Sequence, residues 1–294
     1  MPSTDKTQKS ERAVRLPSEP SALLKYLYTA PSGRRVLRAI SGRGVSAVAG
    51  AFMSSRFSRA AIKPFIRSNS IDMTDFEERE FNSFNDFFTR RVKDGTRPID
   101  VEPSALVAPC DANLAVYPVT ETAQFAIKHT RFSTASLLAN EKAARRFAGG
   151  YALVFRLAVD NYHRVCFFDN AEKSRSRFVA GELHTVQAIA CENGYDIFAR
   201  NCRSVSYLRT ENFGGAAMVW VGALMVGRIV EARPERCAVK RGEEAGYFEF
   251  GGSTVVLLLQ KDRAEIDPDI LAASARGLET CVKYGERIGN KPGV

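Results

Sequence analysis

The pattern of apolar and polar positions changes once along the chain, near residue 100. From Ser21 to about Arg67 apolar residues recur at spacings of three and four: Leu23, Leu24 and Leu27, then Val36, Leu37 and Ile40, then Ala61, Ile62, Phe65 and Ile66. Basic residues fill the gaps, and the period predicts amphipathic helices. Asp75 to Ile99, with phenylalanine at 76, 81, 84, 87 and 88 and a Gly95-Thr-Arg-Pro98 ending, also reads as helical. From Ala105 onward short apolar runs alternate with turn residues: Ala105–Pro109, Leu114–Val119, Ala152–Val159, Arg164–Phe168, Leu183–Ala190, Ser204–Leu208, Ala216–Val221, Arg228–Glu231 and Thr254–Leu259. These predict strands, with Asp267–Arg276 as a last short helix. The fold class expected is α+β, with N-terminal amphipathic helices followed by a mostly antiparallel β sandwich or barrel-like body. Residues 1–20 are polar, contain Pro2, Pro17 and Pro20, and read as a disordered lead. Residues 21–100 form a basic helical region that packs on the body or on a surface, and 101–294 a β-rich domain.

Composition narrows the class. An apolar fraction of 45% and a charged fraction of 26% over 294 residues belong to a globular protein. The longest uncharged apolar run, Phe213 to Gly227, is 15 residues with four glycines, short of the ~18 that a spanning helix needs. The start, MPSTDKTQKSERAVR, lacks the apolar stretch of a signal peptide. A cytoplasmic protein without a membrane span is expected. Residues 1–70 carry 13 Lys/Arg against Asp5, Glu11 and Glu19, a balance of +10 in a chain of +9. A basic arm on a neutral body suits an anionic surface. Cys110, Cys166, Cys191, Cys202, Cys237 and Cys281 form no CxxC pair, and His129, His163 and His184 are scattered. Free thiols and no metal site are the expectation. No RNP, zinc or helix-turn-helix signature accompanies the basic arm, so no nucleic-acid partner is expected.

The most informative passage is Tyr247-Phe-Glu-Phe-Gly251-Gly252-Ser253-Thr254, followed by Val-Val-Leu-Leu-Leu. Two glycines put a permissive backbone directly before a hydroxyl residue that opens a buried strand. Read alone, this is a β-bulge before a core strand or a strained turn beside a nucleophile. Val255 occupies the last glycine position of a GxSxG elbow and excludes that motif.

With its lead Gly242-Glu-Glu-Ala-Gly-Tyr-Phe, the passage resembles the self-processing site of phosphatidylserine decarboxylases. Further segments agree in the family's order: Phe84-Asn-Asp-Phe-Phe-Thr-Arg-Arg, Thr96-Arg-Pro-Ile, Ala108-Pro-Cys-Asp111, Asn161-Tyr-His163-Arg164, Thr210-Glu-Asn-Phe-Gly214 and Val221-Gly-Ala-Leu-Met-Val-Gly227. The likeness spans about Lys25 to Lys261. It implies a lyase that carries a pyruvoyl group derived from Ser253. The serine hydroxyl attacks the Gly252 carbonyl, and β-elimination splits the chain between 252 and 253. The serine remnant becomes a ketone that serves as electron sink in decarboxylation. The implied activity is conversion of phosphatidylserine to phosphatidylethanolamine, in phospholipid biosynthesis, by a zymogen peripheral to a membrane. The implied partners are an anionic phospholipid surface and the chain's own large and small fragments; a homodimer is compatible with it.

Carried over one by one, Asp111 matches the aspartate that orients the processing base, and His163 the first histidine of Tyr-His-Arg-x-His, linked to decarboxylation. The second histidine of that motif, the processing base, falls on Cys166, and the aspartate before Tyr-His falls on Asn161. Ala112 and Ala108 replace a glycine and a serine. A neutral thiol is a poor replacement for imidazole near neutral pH. Three outcomes fit these departures: slow cleavage helped by strain, His163 or His184; normal cleavage with a rearranged triad; or an intact chain without a pyruvoyl group. Two other functions stay open: decarboxylation of a soluble amino acid or derivative, and an uncleaved lipid-binding pseudoenzyme. Of the remaining candidates, His184 alternates with apolar neighbours and reads as structural, His129 as incidental. Arg90 and Arg91 read equally as a phosphate contact or a solvated helix end.

Overall fold

The computed structural model describes residues 12–17, 19–127, 130–224, 228–251 and 253–293. Helices α1 (Ala22–Thr29), α2 (Pro31–Ile40) and α3 (Arg43–Met53) come first, then α4 (Ile62–Ser68) and the short α5 (Phe84–Phe88). Local chemistry sets their starts. Ser21 caps α1 by accepting from the Leu24 amide, and Pro31 opens α2 where no amide proton is needed. Ser83 caps α5 through the Asp86 amide.

The body is built on one large antiparallel sheet. Across it the strands run Val14–Arg15, Glu279–Val282, Ala112–Pro118, Tyr151–Leu157, Ser253–Leu259, Gly215–Val221, Arg203–Thr210, Ala171–Lys173 and Cys237–Val239, with Arg177–Val179 also pairing Arg203–Thr210. Smaller sheets join Ile229–Glu231, Glu244–Phe248 and Arg164–Cys166, and separately Glu265–Ile266, Arg287–Asn290 and Ala105–Val107. The large sheet stays open at both ends and does not close into a barrel. Ser253–Leu259 is its central strand, buried at every position and paired on both sides. Alternation turns Val255, Leu257 and Leu259 toward a core shared with Phe155, Trp220, Val165 and Phe248. Val256 and Leu258 face a second core containing Leu27 and Tyr28 of α1, Leu37 of α2, and Phe198. The inner faces of α1 and α2 therefore pack on the body. Val48, Phe52 and Phe57 stay exposed.

Three expectations need correction. Asp75 to Ile99 is helical only at Phe84–Phe88. Its backbone instead folds back on itself: Phe76 bridges Val92, the Glu77 amide donates to Arg91, and the Lys93 amide to Asp75. Leu183–Ala190 is not a strand. The Asn201 side chain takes both the amide and the carbonyl of His184, the Tyr28 hydroxyl accepts from Thr185 and the Leu183 amide donates to Ser41, so these groups are lost to a ladder, and Ala188–Glu192 is helical. Part of the segment read as a disordered lead is built into the body. Arg12 binds Asp267, Asp269 and Glu286, and Val14–Arg15 pairs with Glu279 and Thr280.

Candidate active site

Ser253 opens the central strand opposite Leu157. It is fully buried, and its Oγ has no hydrogen-bond partner among the described residues. Gly252 lies outside the described residues. Gly251 sits at φ +136°, a region that side-chain-bearing residues avoid, so the turn before Ser253 requires glycine at this point. The approach to that turn is held residue by residue. The Phe248 amide donates to the His163 carbonyl at 3.1 Å, the Glu249 amide to Arg228 at 3.0 Å, and the Phe250 amide to Asn85 Oδ1 at 3.0 Å.

His163 is fully buried, its ring 4.0 Å from that of Phe88. Its Nδ1 lies 2.9 Å from the Asn161 carbonyl, which can only accept, so Nδ1 carries the proton and Nε2 a lone pair. Nε2 has no partner. Burial, reinforced by the nearby Arg90 charge, pushes the imidazole down to about 3. His163 is thus neutral at ordinary pH, with one free acceptor nitrogen. In this state it accepts protons and does not donate them from Nε2.

The other transferred positions meet at Tyr284. Its backbone amide donates to Asp111 Oδ1 at 2.8 Å, and its hydroxyl, which donates to the Gly242 carbonyl at 3.3 Å, lies beside the Cys166 thiol. Cys166 pairs with Glu244 across the small sheet and donates weakly to the Ala108 carbonyl at 4.0 Å. Burial pushes its thiol up to about 12, only partly offset by Tyr284. It is a neutral thiol, not a base. Asp111 is held by Arg97, with Lys283 at 3.7 Å. Asn161 does not act as partner to Cys166: its Oδ1 accepts from the Ala158 amide at 2.7 Å and closes the turn before Tyr162.

The remaining candidates sort cleanly. His184 donates or accepts at both nitrogens, to Glu182 at 2.7 Å and Tyr28 at 3.3 Å, and ties α1 to the body. Arg90 is not a solvated helix end. It is buried with its guanidinium over Phe76 at 4.1 Å and Phe87 at 4.8 Å. Arg91 is exposed, 3.7 Å from Glu244. His129 lies outside the described residues. Arg97, Asn85 and Tyr284 belong to the surroundings of the site without any local signal in the sequence that marks them. Tyr284 is 118 positions from Cys166, and only the fold brings them together. Among the described residues no cluster of His, Cys, Asp or Glu could hold a metal ion, and no helix is long and apolar enough to cross a membrane.

The family model for phosphatidylserine decarboxylase matches residues 84–290, which include every residue discussed above as part of the site. Among relatives, phosphatidylserine decarboxylase proenzyme 2 of Clostridium acetobutylicum is 40% identical over 267 residues, 90% of this chain and 91% of its own. The proenzyme of Ruminiclostridium cellulolyticum is 38% identical over 91% of each chain. That of Clostridium perfringens is 38% identical over 93% of this chain and 95% of its own. The chain belongs to the phosphatidylserine decarboxylase family.

Proposed function

We propose that this protein is a self-processing pyruvoyl enzyme that decarboxylates phosphatidylserine to phosphatidylethanolamine. The observation that carries the reading is Ser253: a fully buried hydroxyl without a partner, at the head of the central strand, directly after a turn that needs glycine. An unpaired buried hydroxyl costs stability, and a nucleophile awaiting its electrophile accounts for it.

Processing uses the chain's own atoms. Ser253 Oγ adds to the Gly252 carbonyl carbon, the peptide C–N bond breaks, and the hydroxyl proton ends on nitrogen. The ester then loses the Ser253 Cα proton and its Cβ–O bond. Gly252 is left as a carboxylate and residue 253 as an unsaturated amine, which takes up water and releases ammonia to give the ketone. His163 Nε2, the free lone pair, serves proton transfer, because the Cys166 thiol stays protonated. Arg97 and Tyr284 hold Asp111, so its role is to fix the wall of the site.

Two buried polar atoms without partners, Ser253 Oγ and His163 Nε2, suit a pyruvoyl group at position 253. When formed, that group supplies an electrophilic carbonyl that draws electrons from the carbon losing carbon dioxide. His163 Nε2 takes the proton of the substrate ammonium and returns it to that carbon. Burial above all, and the Arg90 charge second, keep His163 neutral, and an anionic substrate relieves the second of these.

Cleavage does not release the small fragment on this reading. Ser253–Leu259 remains hydrogen-bonded to Tyr151–Leu157 and Gly215–Val221. Residues 21–100 form the region facing an anionic lipid surface, and 101–294 the catalytic body. Exposed Val48, Phe52 and Phe57 beside the basic residues of this region support that placement.

Intact-mass measurement tests the reading. The parent should yield fragments 1–252 and 253–294, while Ser253→Ala should stay whole and folded, since a methyl fits where a hydroxymethyl did. Carbon dioxide should be released from phosphatidylserine vesicles and not from free serine. A full-length parent that releases none would establish the uncleaved alternative, and release from free serine alone the soluble-substrate one.

A further inference from the structure

The three backbone amides before the Gly251 turn are each held, and only one is held by a side chain. The Phe248 and Glu249 amides donate to carbonyls, whereas the Phe250 amide donates to Asn85 Oδ1 at 3.0 Å. Asn85 is buried within α5. Its Nδ2 donates to Ser54 Oγ at 2.9 Å and reaches the Gly50 carbonyl at 3.4 Å, both at the end of α3. One carboxamide therefore spans from the basic helical region to the strand that leads into the scissile turn. The Phe250 ring is fixed in the same place, with ring centroids 4.8 Å from Phe84, 5.3 Å from Phe88 and 6.0 Å from Phe65.

We propose that Asn85 is a positioning residue for self-processing, fixing the backbone at Phe250, three residues before Ser253, and so restraining the approach to the scissile bond. The inference rests on the self-processing reading above. Attack within a chain is fast only when carbonyl and hydroxyl are held in one geometry, and Gly251 supplies no restraint of its own. Asn85 supplies that restraint from outside the strand. Its amide group cannot rotate freely, because α3 holds the nitrogen while Phe250 holds the oxygen.

Cell-free synthesis followed by mass measurement over time gives the cleavage rate of newly made chains. Asn85→Leu keeps the volume and removes all three bonds, and should slow cleavage about tenfold or more, the change expected from the lost bond to the Phe250 amide. Asn85→Asp keeps an acceptor for the Phe250 amide and should recover to within about threefold of the parent. Hydroxylamine, which cuts an ester directly, should not rescue Asn85→Leu, because the defect precedes ester formation. A folded Asn85→Leu cleaving at the parental rate, or rescued by hydroxylamine, overturns the proposal. Should Asn85→Leu fail to fold, Ser54→Ala carries the test: it frees the amide nitrogen and should slow cleavage about threefold, and a parental rate overturns the proposal. Cleavage of Ser253→Ala at the same bond would overturn the self-processing reading instead.

Discussion

Arg97 grips Asp111 through two parallel hydrogen bonds, Nε to Oδ1 and Nη2 to Oδ2, each at 2.9 Å. Both side chains are almost wholly buried, at 7% and 2% exposure, and Asp75 lies on the outer side of Arg97 at 2.8 Å. The groups beside Asp111 are Arg97, Lys283 and the Tyr284 amide, and none of them is an imidazole. The Asp111 charge is balanced by a permanent cation instead. Removing one partner of such a pair strands the other in a medium that solvates it poorly. Arg97→Leu should lower unfolding stability by about 3–5 kcal/mol in urea titration. Adding Asp111→Leu should restore part of that, because no stranded carboxylate remains. A loss below about 1 kcal/mol in the single variant would show that Lys283 and the Tyr284 amide suffice.

His163 gives a pH dependence with a definite sign. Its folded value of about 3 lies below the ordinary 6.5, so the unfolded chain binds the proton more readily. Its contribution to stability is complete above about pH 6.5 and is lost as pH falls toward 3. The slope should approach 1.4 kcal/mol per pH unit between about pH 6 and pH 4, the value for one proton. His184 is also lowered by burial, so the measurement is the difference between the parent and His163→Leu, in which that background cancels. Parallel stability curves would mean that His163 takes up its proton as readily in the folded chain as in the unfolded one. For the same reason kcat/KM should show no inflection from His163 between pH 5 and 8.

The residues that define the fold were legible where local pattern and tertiary role coincide. The unbroken apolar run after Ser253 could only be a strand covered on both faces, and it is the central one. Gly251 announced a turn that other residues avoid, and the three- and four-residue spacing of Leu23, Leu24, Leu27, Val36, Leu37 and Ile40 announced the first helices. Reading failed where a side chain replaces the backbone as hydrogen-bond partner. Asn201 and Tyr28 take the groups that a strand at 183–190 would have used. The phenylalanines of 75–99 mimic helical content because composition is visible and fold-back is not. At the site, residue types transferred from a resemblance did not carry their partners. Nothing local tells that Asp111 meets Arg97 and Tyr284, or that the Asn161 side chain closes its own turn.

A base at position 166 is testable because the surroundings of Cys166 are known. The thiol stays protonated to about pH 12, enclosed by the Ala108 carbonyl and Tyr284 hydroxyl. Iodoacetamide at pH 8 should leave Cys166 unmodified in the folded protein and label it after unfolding. Cys166→His puts an imidazole beside a carbonyl that can accept its N–H, leaving the other nitrogen as a base. Cleavage should accelerate on the order of 100-fold, the usual yield of a positioned general base. The larger ring should cost about 1–3 kcal/mol of stability through overpacking. Asn161 need not be changed with it, since its side chain is engaged with Ala158. An unaltered cleavage rate would show that proton removal does not limit processing.

The basic arm can be tested without disturbing the packing it also provides. Of the cluster on α2, Arg34 donates to the Tyr28 carbonyl and belongs to the helix packing. Arg35 and Arg38 are exposed and have no ion-pair partner among the described residues, so replacing them removes charge and little else. They lie on the solvent side of a helix whose inner residue Leu37 is buried in the second core. Each basic residue near an anionic leaflet contributes about 1 kcal/mol. Arg35→Gln with Arg38→Gln should therefore weaken binding to vesicles containing anionic lipid by about 2 kcal/mol, roughly 30-fold, with binding to neutral vesicles and unfolding stability unchanged. Raising salt from low to physiological strength should erase most of the difference between parent and variant, because exposed charges are screened over about 8 Å. Equal binding of the two proteins at low salt would remove this face of α2 from the membrane contact and leave Val48, Phe52 and Phe57 as its apolar alternative.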